Sequence, residues 1–361
     1  MQDVEKKSEI SLAQQKRALL NVEDYHQQAK KKLPQMIYDF YSTGSDDQLT
    51  LIDNQQAFRR IKLRPKILID VSSQSAVNSI SCQTQLLNST ITISFPCIIA
   101  PTALHRLANN EHGELATVRA AVACSTIMCV STMASICMER IAEEHREQIK
   151  ANYPRSTSQL WYQLYVFKNR QYTQRLIEHA ERCGYKALVV TVDHCEMGNR
   201  ECDIHNQFSL PDGIQAENLI DDKSIMHPDD AREAVKHGVE GIIVSNHGGR
   251  QLDTCQSTID ALPDIMNVIS SELHQIDVYI DGGVRRGTDI LKAVALGAKA
   301  VLIGRPVLWG LAEDGMQGIK NVLDILKKEF RLAMMLCGCQ TVDDIRRNNL
   351  LVINNNTQSK L

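Results

Sequence analysis

The sequence predicts a (β/α)8 barrel preceded by a helical segment, and three observations carry this prediction. From residue 97 onward, short apolar runs alternate with amphipathic stretches, as in repeated βα units around a parallel sheet. Polar side chains follow several of these runs, and the chemistry of such barrels lies at the carboxyl ends of the strands. The last two runs are each followed by a turn with glycine and arginine, which is typical of a phosphate site.

Helices and a hairpin come before the first βα unit. Residues 1–20 are predicted to be a flexible arm, and three helices are predicted at 21–33, 35–41 and 46–61. The third helix has acidic residues in its predicted first turn and arginines in its last, as the helix dipole favours. A hairpin is predicted over residues 80–94, with its turn at Asn88 and Ser89.

Seven apolar runs predict the barrel strands, at residues 97–100, 127–131, 160–165, 187–192, 241–245, 278–281 and 301–304. Amphipathic helices are predicted between them, at residues 111–123, 171–182, 229–237 and 288–296. An eighth strand is missing from this count, because the remaining candidate, 217–223, is too acidic for a barrel interior. We therefore predict that the fifth βα unit is shortened or incomplete.

Composition indicates one soluble α/β domain, predicted over residues 21–353. The chain has 361 residues, 43% hydrophobic residues and a net charge of -3, which argues against nucleic acid or an anionic membrane as main partner. No apolar run is long enough to span a membrane, and the first residues lack the apolar block of a signal peptide. The eleven cysteines are scattered, which favours free thiols in a reducing compartment.

The polar tail over residues 354–361 ends in Ser359-Lys360-Leu361. This tripeptide at a carboxyl terminus is the address that the peroxisomal import receptor reads, so a peroxisomal location is predicted. Cys195, Cys202 and His205 could be drawn as a metal site, but their spacing matches no zinc pattern and no metal is predicted.

The stretch from Gly241 to Asp253 combines a predicted buried strand with reactive groups. His247 and Arg250 stand three residues apart where the strand ends, separated by two glycines. An imidazole and a guanidinium placed there offer a base beside an anion clamp. The alternative is a polar turn in which both side chains only cap local carbonyls.

Two further turns predict an anion site. Asp281-Gly-Gly-Val-Arg-Arg-Gly-Thr-Asp289 opens a helix after one strand, and Gly304-Arg305-Pro306 follows the next strand. Glycine lets backbone N–H groups approach a phosphate; the alternative is that these are simple turn glycines. The ends of three other strands are also polar, and together they suit a flat cofactor with polar edges: Ala100-Pro-Thr-Ala103, Gln163-Leu-Tyr165 and Thr191-Val-Asp193.

With these motifs, the chain resembles the FMN-dependent 2-hydroxy acid oxidases, the group of glycolate oxidase and long-chain hydroxy acid oxidase. The likeness runs from about residue 21 to residue 345, with a gap. Its most specific pieces are Ser245-Asn-His-Gly-Gly-Arg-Gln-Leu-Asp253, Asp281-Gly-Gly-Val-Arg-Arg-Gly287 and Gly198-Asn-Arg-Glu-Cys-Asp-Ile204. The resemblance implies the fold, the FMN cofactor, oxidation by O2 with release of H2O2, and a homotetramer.

The resemblance also implies the roles of site residues. His247 would accept a proton from the substrate, with Asp193 behind it and Tyr165 beside the reacting oxygen. The substrate would contact Tyr25, Met133, Tyr165, Arg200, His247 and Arg250. FMN would contact Pro101, Thr102, Ala103, Ser131, Gln163, Thr191, Lys223, Ser245, Asp281, Gly282, Gly283, Arg285, Gly304 and Arg305.

The sequence departs from the family pattern at two places. Between the equivalents of Phe208 and Lys223 the family has a long loop, a helix and a strand, whereas this chain has only residues 209–222. We therefore expect weaker flavin retention and lower stability than in a full-length relative. Met133 stands where glycolate oxidases carry tryptophan, which predicts acceptance of longer 2-hydroxy acids; the alternative is ordinary core filler.

Three functions remain open from the sequence. The leading one is a peroxisomal oxidase that converts 2-hydroxy acids to 2-oxo acids. The second is an inactive or weakened relative that binds flavin or phosphate, because the segment before Lys223 is shortened. The third is a nucleotide-binding barrel of the inosinate dehydrogenase kind, which shares the phosphate turns but does not account for His247 together with Arg250.

Overall fold

Seven parallel strands form a curled half-barrel in the computed structural model, which describes residues 18–71, 80–193, 196–218, 234, 236–269 and 276–352. The strands are β4 (Cys97–Ile99), β5 (Ile127–Val130), β6 (Gln159–Tyr165), β7 (Ala187–Thr191), β8 (Gly241–Val244), β9 (Asp277–Ile280) and β10 (Ala300–Ile303). Their spatial order is β7-β6-β5-β4-β10-β9-β8. All seven predicted strands are therefore confirmed, and the carboxyl ends of all seven lie on one side of the sheet.

Helices pack around the outside of this sheet. They are α4 (Gly113–Ala123), α5 (Met138–Ala151), α6 (Arg170–Cys183), α8 (Thr258–Val268), α9 (Gly287–Ala295), α10 (Arg305–Leu336) and α11 (Val342–Arg347). The short α7 (Glu201–His205) lies instead at the carboxyl ends of the strands. The long α10 is kinked at Asp314 and Gly315, because both residues leave helical dihedral angles. No helix in the described part of the chain is long and apolar enough to cross a membrane.

Three helices precede the sheet, as the sequence predicts: α1 (Val22–Lys32), α2 (Gln35–Ser42) and α3 (Leu49–Arg60). The predicted start of the third helix at residue 46 is wrong. Asp46 and Gln48 have positive φ angles of 47° and 61°, so α3 begins at Leu49 and has no acidic residue in its first turn. The carboxylate of Asp253, far along the chain, accepts hydrogen bonds from the first N–H groups of α3 instead.

Two short antiparallel pairs complete the described strands. β2 (Thr84–Leu86) pairs with β3 (Ile91–Ile93), which confirms the predicted hairpin, and β1 (Lys62–Leu63) pairs with β11 (Leu351–Val352). The hairpin packs on apolar side chains inside the curled sheet, among them Ile98, Trp161 and Tyr279. It therefore closes the end of the sheet opposite to the predicted site.

The sheet is open between β7 and β8 among the described residues. These two strands are the edges of the sheet, and no described strand lies between them. The outward-facing side chains Leu188 and Val190 of β7 are 41% and 49% exposed. The gap falls where the sequence predicts an incomplete fifth unit. Most of the acidic candidate strand at 217–223 and most of the predicted helix at 229–237 lie outside the described residues.

Candidate active site

The carboxyl ends of the strands open into a cavity of ≈ 1860 Å³. This volume exceeds the roughly 300–1,000 Å³ of most small-molecule sites, because the cavity continues through the gap between β7 and β8. The predicted site residues that line it are Pro101, Thr102, Ala103, Ser131, Met133, Gln163, Tyr165, Thr191, Arg200, Ser245, His247, Arg250, Asp281, Gly282, Gly283, Arg285, Gly304 and Arg305. Residues that lie as much as 204 positions apart in the sequence thus meet in one place.

His247 follows β8 and is held by Asp193, which follows β7. The imidazole Nδ1 donates a hydrogen bond of 2.8 Å to Oδ1 of the aspartate, whose side chain is only 8% exposed. This contact keeps the proton of the neutral ring on Nδ1 and leaves Nε2 as the basic nitrogen. The carboxylate also stabilises the imidazolium that forms when Nε2 accepts a proton. The pair can therefore act as a general base.

The backbone around His247 is held in an uncommon conformation. His247, Gly248 and Gly249 have positive φ angles of 55°, 64° and 74°. Gly249 also has to be glycine because a Cβ there would lie 2.7 Å from a backbone nitrogen of α3. The side chains of Asn246 and Asn54 exchange two hydrogen bonds of 2.7 and 2.8 Å, which tie the turn to α3. The N-terminal helices thus fix the direction of the imidazole.

Arg200 and Arg250 supply positive charge beside the histidine. Arg250 Nη1 donates to the carbonyls of Phe40 and Thr43 at 2.6 and 3.1 Å, which leaves Nε and Nη2 for a ligand. Arg200 Nε is buried and has no hydrogen-bond partner among the described residues. Burial lowers the pKa of both guanidiniums, and repulsion between the neighbouring guanidiniums adds to the effect at Arg250. Binding of a carboxylate relieves both costs.

Arg285 and Arg305 follow β9 and β10, at the predicted phosphate turns. Arg305 donates to the carbonyls of Tyr41, Thr43 and Gly248 at 2.8–2.9 Å. A guanidinium has five N–H donors, so two remain for an anion. Burial lowers the pKa of Arg305 to about 9 and that of Arg285 to about 10. This second pair of partly buried cations suits a phosphate group.

Gln163 joins the ends of three neighbouring strands. Its side-chain oxygen accepts hydrogen bonds from Ser131 Oγ (3.3 Å) and the backbone N–H of Thr132 (3.1 Å). Its side-chain nitrogen donates to Thr191 Oγ1 at 2.9 Å. The polar wall predicted from separate strand ends is therefore one connected surface.

Asp281 is a partly buried acid on the opposite wall. Its Oδ1 atom has no hydrogen-bond partner among the described residues. Burial raises the pKa of this carboxyl to about 6, although a hydrogen bond with Ser245 and the nearby His247 act in the other direction. A ligand hydroxyl or amide would satisfy the unpartnered oxygen.

Two predicted site residues lie elsewhere or outside the described chain. Tyr25 is buried in α1 at 4% exposure and is not among the residues that line the cavity. Lys223 lies outside the described residues, as does Cys195 of the rejected metal site. Among the residues that the structure describes, no group of three or more histidine, cysteine, aspartate or glutamate side chains could hold a metal ion.

Several residues of the site were missed at the sequence level. The ring of Phe40 stacks on that of Phe208 with centroids 4.4 Å apart and lies 5.2 Å from the guanidinium carbon of Arg250. Asp203, on α7, lines the cavity near Arg200 and Arg250. No local pattern marks these side chains. Phe40 looks like a core residue of an amphipathic helix, and Asp203 like a solvated acid in a helical turn.

Fold and site together define an α/β-barrel enzyme with a histidine base and two pairs of partly buried arginines for anions. A family model described as FMN-dependent dehydrogenase matches residues 29–224 and 222–352. The chain is 43% identical to the peroxisomal (S)-2-hydroxyacid oxidase GLO3 of Arabidopsis thaliana, with 95% of this chain and 99% of the relative covered. It is 41% identical to 2-hydroxyacid oxidase 1 of Homo sapiens, with 92% and 98% covered.

The crystal structure of mandelate oxidase with (S)-2-phenylpropionate superimposes with a TM-score of 0.83 at 33% identity, over 93% of this chain and 99% of that one. The chain belongs to the FMN-dependent dehydrogenase family, and its cofactor is FMN. The predicted family, fold class and cofactor are thereby confirmed. The two segments of the family match meet at residues 222–224, beside the predicted shortening before Lys223.

The residues present fit this cofactor. Arg285 and Arg305 can hold the phosphate, and the unpartnered Oδ1 of Asp281 can accept a hydrogen bond from a flavin hydroxyl. The connected surface around Gln163 offers polar contacts to the edge of a flat ring. When bound, FMN accepts two electrons from the substrate and passes them on; the protein binds and orients both molecules.

Proposed function

We propose that this protein oxidises 2-hydroxy acids to 2-oxo acids and passes the electrons to O2, which yields H2O2. The observation that carries the proposal is the pairing of His247 with Asp193 in the same cavity as Arg200 and Arg250. A 2-hydroxy acid needs a base for its proton and a cation for its carboxylate, and this cavity holds both. The 2-hydroxyacid oxidases among the relatives support the same activity.

We assign the site residues as follows. His247 Nε2 takes the proton from the substrate, and Asp193 stabilises the resulting imidazolium. Arg200 and Arg250 bind the carboxylate through donors that make no hydrogen bond to a described residue. Tyr165, which lines the cavity, is placed beside the reacting oxygen. Tyr25 is retained as a substrate contact from the resemblance, although it lies outside the cavity lining.

FMN binding is assigned to the turns and strand ends of the cavity. The contacts are Pro101, Thr102, Ala103, Ser131, Gln163, Thr191, Ser245, Asp281, Gly282, Gly283, Arg285, Gly304 and Arg305. Lys223 completes this set from the resemblance. We further infer that residues 21–353 form one FMN-binding domain between the arm and the tail, so limited proteolysis should trim only the two ends.

The proposal is tested by the colour of the purified protein. The oxidised flavin spectrum should bleach when a 2-hydroxy acid is added without oxygen, and H2O2 should appear when oxygen is admitted. The Asp193→Asn variant should keep the flavin spectrum but lose at least a hundredfold in the rate of bleaching, because the imidazolium loses its partner. A yellow protein that never bleaches with acids of any length would instead support the inactive, flavin-binding relative.

Met133 is proposed to widen the substrate pocket. It lines the cavity, and its flexible side chain is thinner than the tryptophan of glycolate oxidases. We expect higher kcat/KM for 2-hydroxyoctanoate than for glycolate, and Met133→Trp should reverse this order. A glycolate preference in the unaltered protein would contradict the assignment and favour an ordinary packing role.

The location and assembly are also proposals. We infer a peroxisomal location from Ser359-Lys360-Leu361, supported by the name of the Arabidopsis relative. A fluorescent N-terminal fusion should lose its punctate pattern when the tripeptide is deleted. We infer a homotetramer, which is supported by the exposed side chains of Ile67 (82%), Leu68 (101%) and Leu336 (66%). Light scattering should give four times the mass of the chain, and Leu68→Asp should lower it.

A further inference from the structure

We propose that His105 is a positioning residue that sets the hydroxyl of Thr102 as a hydrogen-bond donor to the FMN cofactor. His105 does not line the cavity, and no role follows for it from the sequence motifs. The inference rests on FMN being the bound cofactor and not on the oxidation of 2-hydroxy acids.

A chain of two hydroxyls and one imidazole leads from the cavity into the core. Thr102 lines the cavity just after β4, and its Oγ1 lies 2.5 Å from His105 Nε2. The other ring nitrogen, Nδ1, lies 2.8 Å from Oγ1 of Thr117 on α4. His105 and Thr117 are 1% and 0% exposed, so water does not reach either of them.

The imidazole of His105 is neutral. Burial lowers the pKa of His105, and the nearby carboxylate of Glu114 only partly opposes this. A neutral imidazole has one N–H donor and one bare nitrogen, so it donates to one threonine and accepts from the other. Two proton arrangements are possible. In one, the Thr102 hydroxyl donates its hydrogen to Nε2; in the other, it accepts from Nε2 and its own hydrogen remains for an acceptor in the cavity.

Hydrogen-bond satisfaction selects between the two arrangements. The contact with His105 is the hydrogen bond of the Thr117 hydroxyl within the described chain. If Nδ1 carried the proton, the buried hydrogen of Thr117 would have no acceptor among the described residues, which is unfavourable. If Thr117 donates to Nδ1, Nε2 carries the proton and donates to Thr102. The Thr102 hydroxyl then directs its own hydrogen to an acceptor in the cavity.

The turn that carries His105 is held rigidly, so the direction of this hydrogen bond is fixed. The buried carboxylate of Glu114 accepts from the backbone N–H of His105 at 3.0 Å and from the N–H and hydroxyl of Ser135 at 2.8 and 2.7 Å. Ser135 lies in the turn after β5, two residues after Met133. Glu114 therefore links the turns after β4 and β5 and holds both walls of the cavity in register.

The first test determines which ring nitrogen carries the proton. Protein labelled with ¹⁵N-histidine, without FMN and with FMN, is studied by NMR, and the His105 signals are assigned by their absence in His105→Gln. We expect a protonated Nε2 and a bare Nδ1 in both forms. A proton on Nδ1, or on both nitrogens, would overturn the proposal. The result itself is read from the unaltered protein; the variant serves only to assign the signals.

The second test measures FMN affinity of the cofactor-free protein by flavin fluorescence. Thr102→Val should weaken binding about tenfold, since one hydrogen bond is lost. His105→Leu should weaken it about threefold, because the hydroxyl loses its fixed direction. The double variant should match Thr102→Val alone within twofold. His105→Gln should restore near-normal affinity, because its amide can donate to Thr102 and accept from Thr117.

A matched control separates this role from simple stability. Thr173→Val removes another buried threonine hydroxyl, which accepts from the N–H of Phe167 at 2.9 Å; neither residue is among those that line the cavity. It should lower the melting temperature without changing FMN affinity. If His105→Leu and Thr102→Val weaken binding independently, or if His105→Leu lowers only the melting temperature, His105 has a merely structural role. None of these readouts depends on turnover of a 2-hydroxy acid.

Discussion

Asp281 is the residue at which the needs of the cofactor and of the fold conflict most clearly. It lines the site cavity, and its buried Oδ1 has no partner within the described residues. Burial raises its pKa from an ordinary 3.8 to about 6. In the cofactor-free protein this acid is therefore a cost to stability near neutral pH, and a bound ligand that donates to it removes part of that cost.

The sign of this effect gives a pH-dependent prediction. The pKa of Asp281 is higher in the folded than in the unfolded protein, so the protonated carboxyl stabilises the fold relative to the ionised one. This contribution to the free energy of unfolding is complete below the unfolded pKa near 4 and is lost as the pH rises through about 6. The stability of cofactor-free Asp281→Asn relative to the unaltered protein should therefore rise between pH 4.5 and pH 7, by about 2 kcal/mol. Urea unfolding at both pH values measures this. If the free energies of unfolding of the two proteins differ by the same amount at both pH values, Asp281 ionises normally.

At the scale of single elements, α3 shows what local patterns miss. Asp46 and Asp47 suit the first turn of a helix, but Gln48 adopts a left-handed conformation and the helix begins one residue later. Asp253, in the turn after His247, caps α3 by accepting from the N–H groups of Leu49 (3.1 Å) and Thr50 (2.8 Å). One carboxylate therefore ties a helix end to the catalytic turn.

The cap predicts a measurable cost. Asp253→Ala should lower the free energy of unfolding by about 1–2 kcal/mol, because two N–H groups lose their acceptor. It should also lower kcat while changing KM less, because the turn that carries His247 loses its anchor. Asp253→Asn keeps one acceptor oxygen and should show a smaller loss in both measurements. Full activity in Asp253→Ala would show that Asn54 and Asn246 suffice to hold the turn.

The molecule as a whole is shaped by the gap between β7 and β8. Closed barrels have no sheet edges, whereas this sheet leaves two edges and the apolar side chains of Leu188 and Val190 exposed among the described residues. The gap also joins the site cavity to the outside of the sheet. Both the flavin and the fold should therefore be held less firmly than in a closed barrel.

A chimera tests this consequence. Replacing residues 209–222 by the longer segment of a relative should raise the melting temperature by several degrees and the fraction of FMN kept through gel filtration. A relative's loop of equal length inserted into the exposed turn around Asn88 serves as control and should change neither. If the unaltered protein already keeps one FMN per chain and has the same melting temperature as the chimera, the open sheet does not weaken the fold or FMN binding.

The sequence by itself determined the seven strands, the hairpin and the chemical identity of the site. Apolar runs and glycine turns are set by residues that are close in sequence, so they can be recognised from the sequence alone. The shortened fifth unit was also readable, because it is a matter of chain length. His247, Arg250, Arg285 and Arg305 stood out for the same reason, since each follows a strand directly.

Only the tertiary structure decided which groups meet. The bonds of Arg305 to the carbonyls of Tyr41 and Thr43, the pairing of Asn54 with Asn246 and the cap from Asp253 all join residues about 200 or more positions apart. His105 and Thr117 are nearer in sequence but meet only because the turn after β4 folds onto α4. Buried polar groups must find partners within reach of the packed chain, and packing, not sequence spacing, sets that reach.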